Sequence, residues 1–260
     1  METTELFGAT ATLVAGCMLA LWLLSLALRD ASIVDIFWGF GFVVIGVASF
    51  FLTEDGSSAR RGLIAVLVSV WGLRLAGYLL WRNAGHGEDP RYQAMRRHWG
   101  ARFPWISLVT VFALQGVLMW IVSLPVQLTM AAPGGALGPL DGLGVALFAV
   151  GLCFEAVGDW QLARFKADPA NAGHVMDRGL WAWTRHPNYF GDAVVWWGLF
   201  AVAAAVPWGW LAAVGPALMT FFLVKVSGAA LLERGLARSK PDYADYVART
   251  SGFVPRPPRR

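Results

Sequence analysis

The chain has 260 residues, of which 57% are hydrophobic and only 15% charged, and its mean hydropathy is +0.54. A soluble domain of this length does not need so much apolar surface, so the composition predicts an integral membrane protein. The formal net charge of +4 is better explained by orientation in a membrane than by binding to nucleic acid. Cys17 and Cys153 both lie in apolar runs and indicate neither a disulfide framework nor a metal site.

Seven apolar runs approach or exceed the length needed to cross a bilayer, which is about 20 mostly apolar residues. These runs lie at about 6–28, 32–52, 62–81, 104–130, 141–163, 190–206 and 208–230. Pro207 separates the last two, which together exceed the thickness of a bilayer about twofold and therefore favour a helical hairpin. The sequence thus predicts an all-α integral membrane protein with seven transmembrane helices in a single domain, 1–260.

The basic residues are unevenly distributed among the loops. Of 21 Lys and Arg residues, 17 lie in the first, third and fifth loops and in the C-terminal tail, whereas the alternate loops contain only Arg60 and Arg61. Because cytoplasmic loops carry the excess of positive charge, this pattern predicts an N-terminus outside and a C-terminus in the cytoplasm.

Several ionisable residues lie inside the apolar runs, where a charge costs at least ~2.5–3.5 kcal/mol at the bilayer centre. Asp35 lies one turn into the second run, and Arg74 precedes Tyr78 by four residues, so the latter two share a helix face. Glu155 and Asp159 have the same spacing in the fifth run. Structural ion pairs such as Asp35–Arg74 are one interpretation, and a functional site is the other.

The stretch R-G-L-W-A-W-T-R-H-P-N-Y-F-G-D, residues 178–192, concentrates polar side chains where a loop enters an apolar run. These side chains are Arg178, Arg185, His186, Asn188, Tyr189 and Asp192. Cations and hydrogen-bond donors there suit a ligand with phosphates outside the membrane and an apolar end inside. The alternative is a basic loop followed by Pro187 in the first turn of a helix.

Two other segments are expected at the same cytoplasmic face. The fifth run leads from Asp159 into Arg164 and Lys166, and the tail adds Glu233, Lys240, Tyr243, Tyr246 and Arg249. Such a face suits a phosphate-bearing cofactor, since Arg binds phosphate in a bidentate manner, but it equally suits anionic lipid headgroups. The sequence has no strand–GxGxxG–helix unit and no GxxxxGK[ST] loop, so any nucleotide would be held between helices.

The chain resembles the bacterial membrane branch of the steroid 5α-reductase family, the 3-oxo-5α-steroid 4-dehydrogenases. The likeness covers most of the chain and is strongest from Gly144 onward. The matching stretches are V-D-I-F-W-G near Asp35, E-D-P-R-Y at Glu88–Tyr92, L-Q-G at Leu114–Gly116, D-W-x-L-x-R-x-K from Asp159, and G-L-W-A-W-T-R-H-P-N-Y-F-G-D. R-H-P-N-Y-F-G is the most specific of these, and close variants of it occur in membrane methyltransferases and sterol reductases.

The resemblance implies that NADPH is bound within about 144–260, facing the cytoplasm of a bacterial inner membrane. The residues it implies for cofactor binding are Asp159, Arg164, Lys166, Asn188, Tyr243 and Tyr246. The polar residues near them are predicted to take part as well, namely Arg178, Arg185, His186, Tyr189 and Lys240. The implied reaction reduces the C=C bond of a conjugated enone, typically a 3-oxo-Δ4 steroid, to the 5α-dihydro product. The expected partners are a lipophilic enone and membrane lipids, with no nucleic acid, metal or protein partner implied.

Two positions depart from the family pattern. Asp192 occupies the place of the family's catalytic Glu and must be protonated to donate a hydrogen bond, a form that burial favours. The family's assisting Tyr falls at Trp71, which can donate but cannot titrate, and Tyr78 is the only tyrosine in that run. The predicted catalytic residues are therefore Asp192, Tyr78 and Trp71. The residues predicted to line the substrate cavity are Asp35, Trp38 and Arg74.

Two other functions remain open from the sequence. An S-adenosylmethionine-dependent membrane methyltransferase acting on isoprenyl-cysteine or phospholipid shares the R-H-P-x-Y-x-G motif and the acidic-then-Tyr tail. The cations Arg164 and Lys166 favour NADPH, because S-adenosylmethionine has no phosphate. A lipid- or sterol-binding membrane protein is the non-enzymatic alternative, and it leaves Asp192 and Asn188 without a function.

Overall fold

The structure, a computed structural model, describes residues 2–53, 59–226, 233, 235 and 240–259. Within these ranges the chain is helical and contains no strand, apart from an isolated parallel β-bridge between Thr184 and Ser251. Six helical segments are long and apolar enough to cross a membrane, as expected for an integral membrane protein. They are Thr3–Leu28, Ile33–Leu52, Ala59–Asn83, Pro90–Val122, Pro139–Ala167 and Gly209–Val226.

The α-helices with described bounds are numbered in chain order. They are α1 (Thr3–Leu28), α2 (Ile33–Leu52), α3 (Ala59–Asn83), α4 (Pro90–Trp99), α5 (Phe103–Ser107), α6 (Leu114–Val122), α7 (Leu124–Ala131), α8 (Pro139–Ala167), α9 (Leu180–Trp183), α10 (Pro187–Ala203), α11 (Val214–Phe221) and α12 (Tyr243–Arg249). Turns of 3₁₀-helix lie at Gly100–Arg102, Pro169–Asn171 and Gly209–Ala213. Segments of π-helix lie at Leu108–Ala113 and Phe222–Val226.

The chain divides into two compact units, and the first comprises Met1–Pro139 and Val202–Val214. In this unit α2 and α3 approach so closely that a Cβ atom built on Gly39 would lie 2.6 Å from the carbonyl oxygen of Gly72. Small residues allow such close approach of membrane helices, where packing rather than water drives association. The two glycines therefore fix how α2 packs on α3.

Replacing Gly39 with valine is expected to destabilise the first unit by at least about 1–3 kcal/mol, because the new side chain would meet backbone that cannot move aside. The matched control is Gly77→Ala on α3, since a Cβ at Gly77 meets nothing within 4 Å. The control should change stability by less than about 1 kcal/mol. Thermal unfolding of both variants in detergent checks this, and equal midpoints would contradict the close-packing account.

The fourth predicted run differs from the structure at both ends. Its helix begins at Pro90, where the Asp89 carboxylate accepts a 2.9 Å hydrogen bond from the backbone N–H of Arg91. This N-cap, followed by proline, starts the helix before the apolar run begins. The path continues to Val122 and then breaks at Ser123, because Pro125 in the first turn of α7 lacks an N–H to continue the ladder.

The break predicted at Pro207 is confirmed, since α10 ends at Ala203 and the next helical turn begins at Gly209. A Cβ on Gly209 would overlap the carbonyl of Ala203, so this turn requires glycine. Helix α10 has 17 residues, which rise about 26 Å, and is shorter than the six segments above. The total of seven spans and the orientation of the two ends remain predictions.

The second unit comprises Leu140–Ala201 and Gly215–Arg260. Its helices α8 and α10 cross in backbone contact, since a Cβ on Gly151 would lie 2.6 Å from the carbonyl oxygen of Gly191. A Cβ on Gly198 would similarly lie 2.7 Å from the backbone nitrogen of Phe148. This crossing brings the polar first turns of α10 against the polar half of α8.

Candidate functional site

The loop before α10 is held by a carboxylate from the C-terminal segment. Arg185 Nε donates to Glu233 Oε1 at 2.9 Å, and His186 Nε2 lies 3.0 Å from the same oxygen. Only 3% of the His186 side chain and 15% of the Arg185 side chain are exposed. We call Arg185, His186 and Glu233 the Glu233 clamp. Because both basic side chains contact the same carboxylate, the clamp fixes the position of the loop before α10.

Burial lowers the pKa of His186 below its usual value, although the hydrogen bond and charge of Glu233 act in the opposite direction. The unfolded chain therefore binds a proton at this position more readily than the folded one, and stability should fall as the pH drops from about 7 through the ordinary histidine pKa of about 6.5. Thermal midpoints between pH 7 and 5 should decline more steeply for the native protein than for a His186→Gln variant. Parallel profiles would contradict this assignment.

The C-terminal segment is bound along the same loop by backbone contacts. The backbone N–H of Arg185 donates to the carbonyl of Ser251 at 2.9 Å, beside the Thr184–Ser251 bridge. From α12, the hydroxyl of Tyr246 donates to the carbonyl of Trp181 at 2.7 Å. These contacts explain the burial of Tyr246, and they bring the tail against residues 181–185, as the sequence predicts for a shared face.

Polar side chains from α8 and α10 face one another where the helices cross. Asn188 Nδ2 donates to Asp159 Oδ1 at 3.0 Å, while Asn188 Oδ1 accepts from the backbone N–H of Tyr189 at 3.0 Å. One turn along each helix lie Glu155 and Asp192, which are 3% and 9% exposed. A Cβ on Gly191 would lie 2.5 Å from the Glu155 nitrogen, so Asp192 follows directly after the point of contact.

These four side chains, Glu155, Asp159, Asn188 and Asp192, form what we call the α8–α10 polar face. Three of the four carry carboxyl groups, and all three of these side chains are buried. A neutral carboxyl can donate a hydrogen bond, whereas a carboxylate can only accept one. The donor role predicted for Asp192 remains a prediction.

The hydroxyl of Tyr243 is buried, and among the described residues it has no hydrogen-bond partner. Burial, reinforced by the charge of Glu233 and opposed by that of Arg185, raises the pKa of Tyr243 to about 12. The group is therefore a neutral donor at physiological pH. A buried hydroxyl without a partner costs free energy, and a bound ligand with a polar atom at this point would recover it.

Three of the predicted cofactor-binding cations lie on exposed surface near this region. Arg164 is exposed at the end of α8, with its guanidinium 5.3 Å from the Trp160 ring centroid, and Lys166 follows one half-turn later. Arg178 precedes Gly179, and Leu180 donates its N–H to Gln161 of α8 at 3.0 Å. The α8 end and the start of the loop are thus adjacent, and the role of the three cations in binding a cofactor remains a prediction.

Two further predicted residues have internal contacts in this unit. The Tyr189 ring stacks on His186 at 5.5 Å with an interplanar angle of 10°, and so supports the Glu233 clamp. The carbonyl of Lys240 accepts a 3.3 Å hydrogen bond from the N–H of Tyr243 at the start of α12. All eleven residues predicted to bind the cofactor, together with Asp192, thus belong to the second unit.

The other predicted catalytic and substrate residues belong to the first unit. Asp35 accepts hydrogen bonds from Arg91 at 2.6 Å and from the Tyr92 hydroxyl at 2.7 Å. An ion pair of the kind considered in the sequence is therefore present, with Arg91 as a partner that sequence reasoning missed. E-D-P-R-Y contains that signal, because Arg91 and Tyr92 directly follow the turn that begins α4.

Within α3, the predicted shared face of Arg74 and Tyr78 is present, with the Arg74 guanidinium 5.5 Å from the Tyr78 ring centroid. Trp71 is fully buried and packs edge to face on Phe42, with ring centroids 5.5 Å apart. Trp38 packs on the same Phe42 ring at 5.3 Å. The roles predicted for these residues remain predictions.

The protein family described as “Protein of unknown function (DUF1295)” matches residues 21–250 of the chain. The chain belongs to this family. An uncharacterized protein of Schizosaccharomyces pombe is 24% identical to the chain over an alignment of 271 positions. The alignment covers 91% of this chain and 76% of the yeast protein. No solved structure matches this DUF1295 protein.

Proposed function

We propose that this protein uses NADPH to reduce the C=C bond of a lipophilic conjugated enone, with a 3-oxo-Δ4 steroid as the first candidate substrate. The observation that carries the proposal is the α8–α10 polar face, in which the buried Asp192 lies one turn along α10 from Asn188, whose amide donates to Asp159 of α8. The DUF1295 family also includes steroid 5α-reductase-like membrane proteins, which supports this class of reaction.

In the proposed reaction, enone, NADPH and one proton give the saturated ketone and NADP⁺. NADPH supplies a hydride to the β-carbon, and negative charge develops on the carbonyl oxygen. Protonated Asp192 donates a hydrogen bond to that oxygen and so stabilises the transition state, an effect typically worth about 3–4 kcal/mol for one such donor. A proton then reaches the α-carbon from water or from a side chain.

The second unit contains groups that fit the proposed cofactor. NADPH has a diphosphate and a 2′-phosphate, and Arg164, Lys166 and Arg178 are exposed cations suited to them. The hydroxyl of Tyr243 is a buried donor for which the described residues offer no acceptor. The amide of Asn188 is fixed by Asp159, which orients it within the polar face. These residues would bind and orient the cofactor, and Asp192 would act on the substrate.

The proposal is tested by thermal unfolding of the detergent-purified protein with NADPH, NADH or S-adenosylmethionine. A ligand that binds only the folded protein adds about 2.7 kcal/mol of stability at 100 times its Kd. We expect a shift with NADPH, a smaller one with NADH, and none with S-adenosylmethionine. A thermal shift with S-adenosylmethionine alone would contradict the reductase proposal and indicate a methyltransferase.

A charge-neutralising pair of variants makes this test specific. Arg164→Gln should weaken the NADPH-induced shift, because it removes a phosphate partner. Arg256→Gln removes the same charge from the tail, where only the backbone N–H of Arg256 has a described contact, a 3.0 Å bond to Trp183. Equal loss of the shift in both variants would indicate a general charge effect and would contradict a phosphate role for Arg164.

Tyr243→Phe should weaken NADPH binding about fivefold without lowering the stability of the ligand-free protein, since one lost hydrogen bond costs about 1 kcal/mol. Removing a buried hydroxyl that lacks a partner has no such cost in the free protein. NADPH titration and thermal unfolding of the same preparation measure the two effects. Loss of stability with unchanged affinity would mean that the hydroxyl serves the fold instead.

A further inference from the structure

A groove of about 580 Å³ lies in the first unit between α1 and the helical stretch that ends in α6. Small residues form much of its walls, namely Ala11 and Ala15 on α1 and Ala113 and Gly116 on the other side. In membrane proteins, small residues normally let two helices approach until their backbones touch. Gly116 is buried against α1, since a Cβ built there would lie 3.0 Å from Met18 Cγ, whereas Ala11, Ala15 and Ala113 are exposed and border the open space beside this contact.

The backbone of the wall opposite α1 departs from a regular α-helix. Residues Leu108–Ala113 form a π-helical segment, and both Leu108 and Ala113 line the groove. Wider turns of this kind occur mostly as single bulges inside α-helices and are frequent at functional sites. The bulge shifts the side chains that follow it out of α-helical register with those before it.

The groove offers a ligand almost only carbon atoms. Trp120 is the one lining residue with a polar side chain. Its indole N–H is already shared between the Thr10 hydroxyl at 3.1 Å and the Phe7 carbonyl at 3.3 Å. Among the described residues, no charged side chain lines the groove, so an anionic or cationic group gains nothing from them, whereas a hydrocarbon does.

Both walls belong to segments that are long and apolar enough to span a membrane, so lipid chains are the molecules that surround them. The volume lies in the range of sites that enclose a small molecule.

We propose that this groove binds a single hydrocarbon chain of a membrane lipid as a specific site, distinct from ordinary lipid contact. The ligand class is an acyl chain, held by Ala11, Ala15, Ala113 and Gly116 with Trp120 beneath it. This inference does not depend on the proposed reductase activity.

The test uses the whole protein in nanodiscs doped with a phosphatidylcholine that carries a diazirine on one acyl chain. After illumination, labelled peptides are mapped by mass spectrometry. The lipid-facing reference is α3, where Val66, Val70 and Leu73 are 60%, 46% and 53% exposed. We expect about tenfold more label in the groove than on α3, which corresponds to ~1.4 kcal/mol of preference.

Filling the groove from either wall provides the variants. Ala15→Phe and Ala113→Phe should each reduce groove labelling to the level of α3, while Ala20→Phe, on an exposed part of α1 outside the groove, should not. The two walls give independent tests, each accepted after thermal unfolding confirms a native-like transition. Equal labelling of groove and α3, or unchanged labelling in both filled variants, would overturn the proposal. Disulfide cross-linking of two Leu19→Cys copies would overturn it in favour of a dimer.

Discussion

Replacing Asp192 with alanine is expected to lower kcat for enone reduction at least ~100-fold while the Kd for NADPH changes little. One hydrogen-bond donor aimed at a developing oxyanion typically contributes a factor of 10²–10³. Asp192 is 9% exposed and follows Gly191, where α10 meets α8, so alanine removes the donor without disturbing the backbone contact. Steady-state oxidation of NADPH with testosterone as the enone measures kcat, and titration measures the Kd.

Two asparagine variants separate the role of Asp192 from general burial of a carboxyl. Asp192→Asn retains a hydrogen-bond donor but cannot transfer a proton, so its kcat should lie between those of the native protein and Asp192→Ala. Asp141 is another buried acid of α8, 2% exposed, in the first turn of that helix. Asp141→Asn should leave kcat unchanged. Native turnover in Asp192→Ala would refute the proposed role.

Replacing Glu233 with alanine is expected to destabilise the second unit by about 2–4 kcal/mol, because it leaves Arg185 and His186 buried without their common carboxylate. The two basic side chains are largely inaccessible to water, which cannot replace the lost contacts. The loop before α10 should then loosen, and NADPH affinity should fall with it. Thermal unfolding and NADPH titration of the same variant measure both effects.

The control for Glu233 is an exposed acid of the same segment. Asp242 lies 3.5 Å from His174, but its side chain is 61% exposed. Asp242→Ala should change stability by less than about 0.5 kcal/mol. A double variant of Glu233→Ala and His186→Gln should lose less than the sum of the two single variants, since both remove the same contact. Full additivity would mean that the two residues act independently and that the clamp is not one unit.

Much of the fold could be predicted because long apolar runs and proline positions are local signals. Asp89–Pro90 and Pro207 both mark helix boundaries. The helix that begins at Pro90 was placed too late from the sequence, because polar residues follow Pro90 and the apolar run begins only near residue 104. The closeness of α2 to α3 and of α8 to α10 depends on glycines such as Gly39 and Gly151. A glycine in an apolar run does not reveal which helix it faces, so these crossings could not be predicted.

The candidate site could be predicted only in part, because the sequence shows the spacing of residues within a helix but not which helices pack together. The i, i+4 spacing places Glu155 with Asp159 and Asn188 with Asp192, but only the tertiary structure sets these two pairs against each other. The predicted cofactor-binding role of Arg185 and His186 remains a prediction, and the structure adds their contacts with Glu233. The available signal for Glu233 was an acidic residue in the tail segment that the sequence places on the same face as Arg185.

Following hydrogen from NADPH to the substrate tests directly whether the protein reduces the C=C bond of an enone. The purified protein would be incubated with testosterone and NADPH carrying deuterium on the nicotinamide C4 of the transferring face, and the product analysed by mass spectrometry and NMR. We expect one deuterium at the β-carbon of the saturated ketone, and the Asp192→Ala variant should form this product at least ~100-fold more slowly. If the product carried no deuterium, or if the protein instead methylated a lipid acceptor from S-adenosylmethionine, the account would be contradicted.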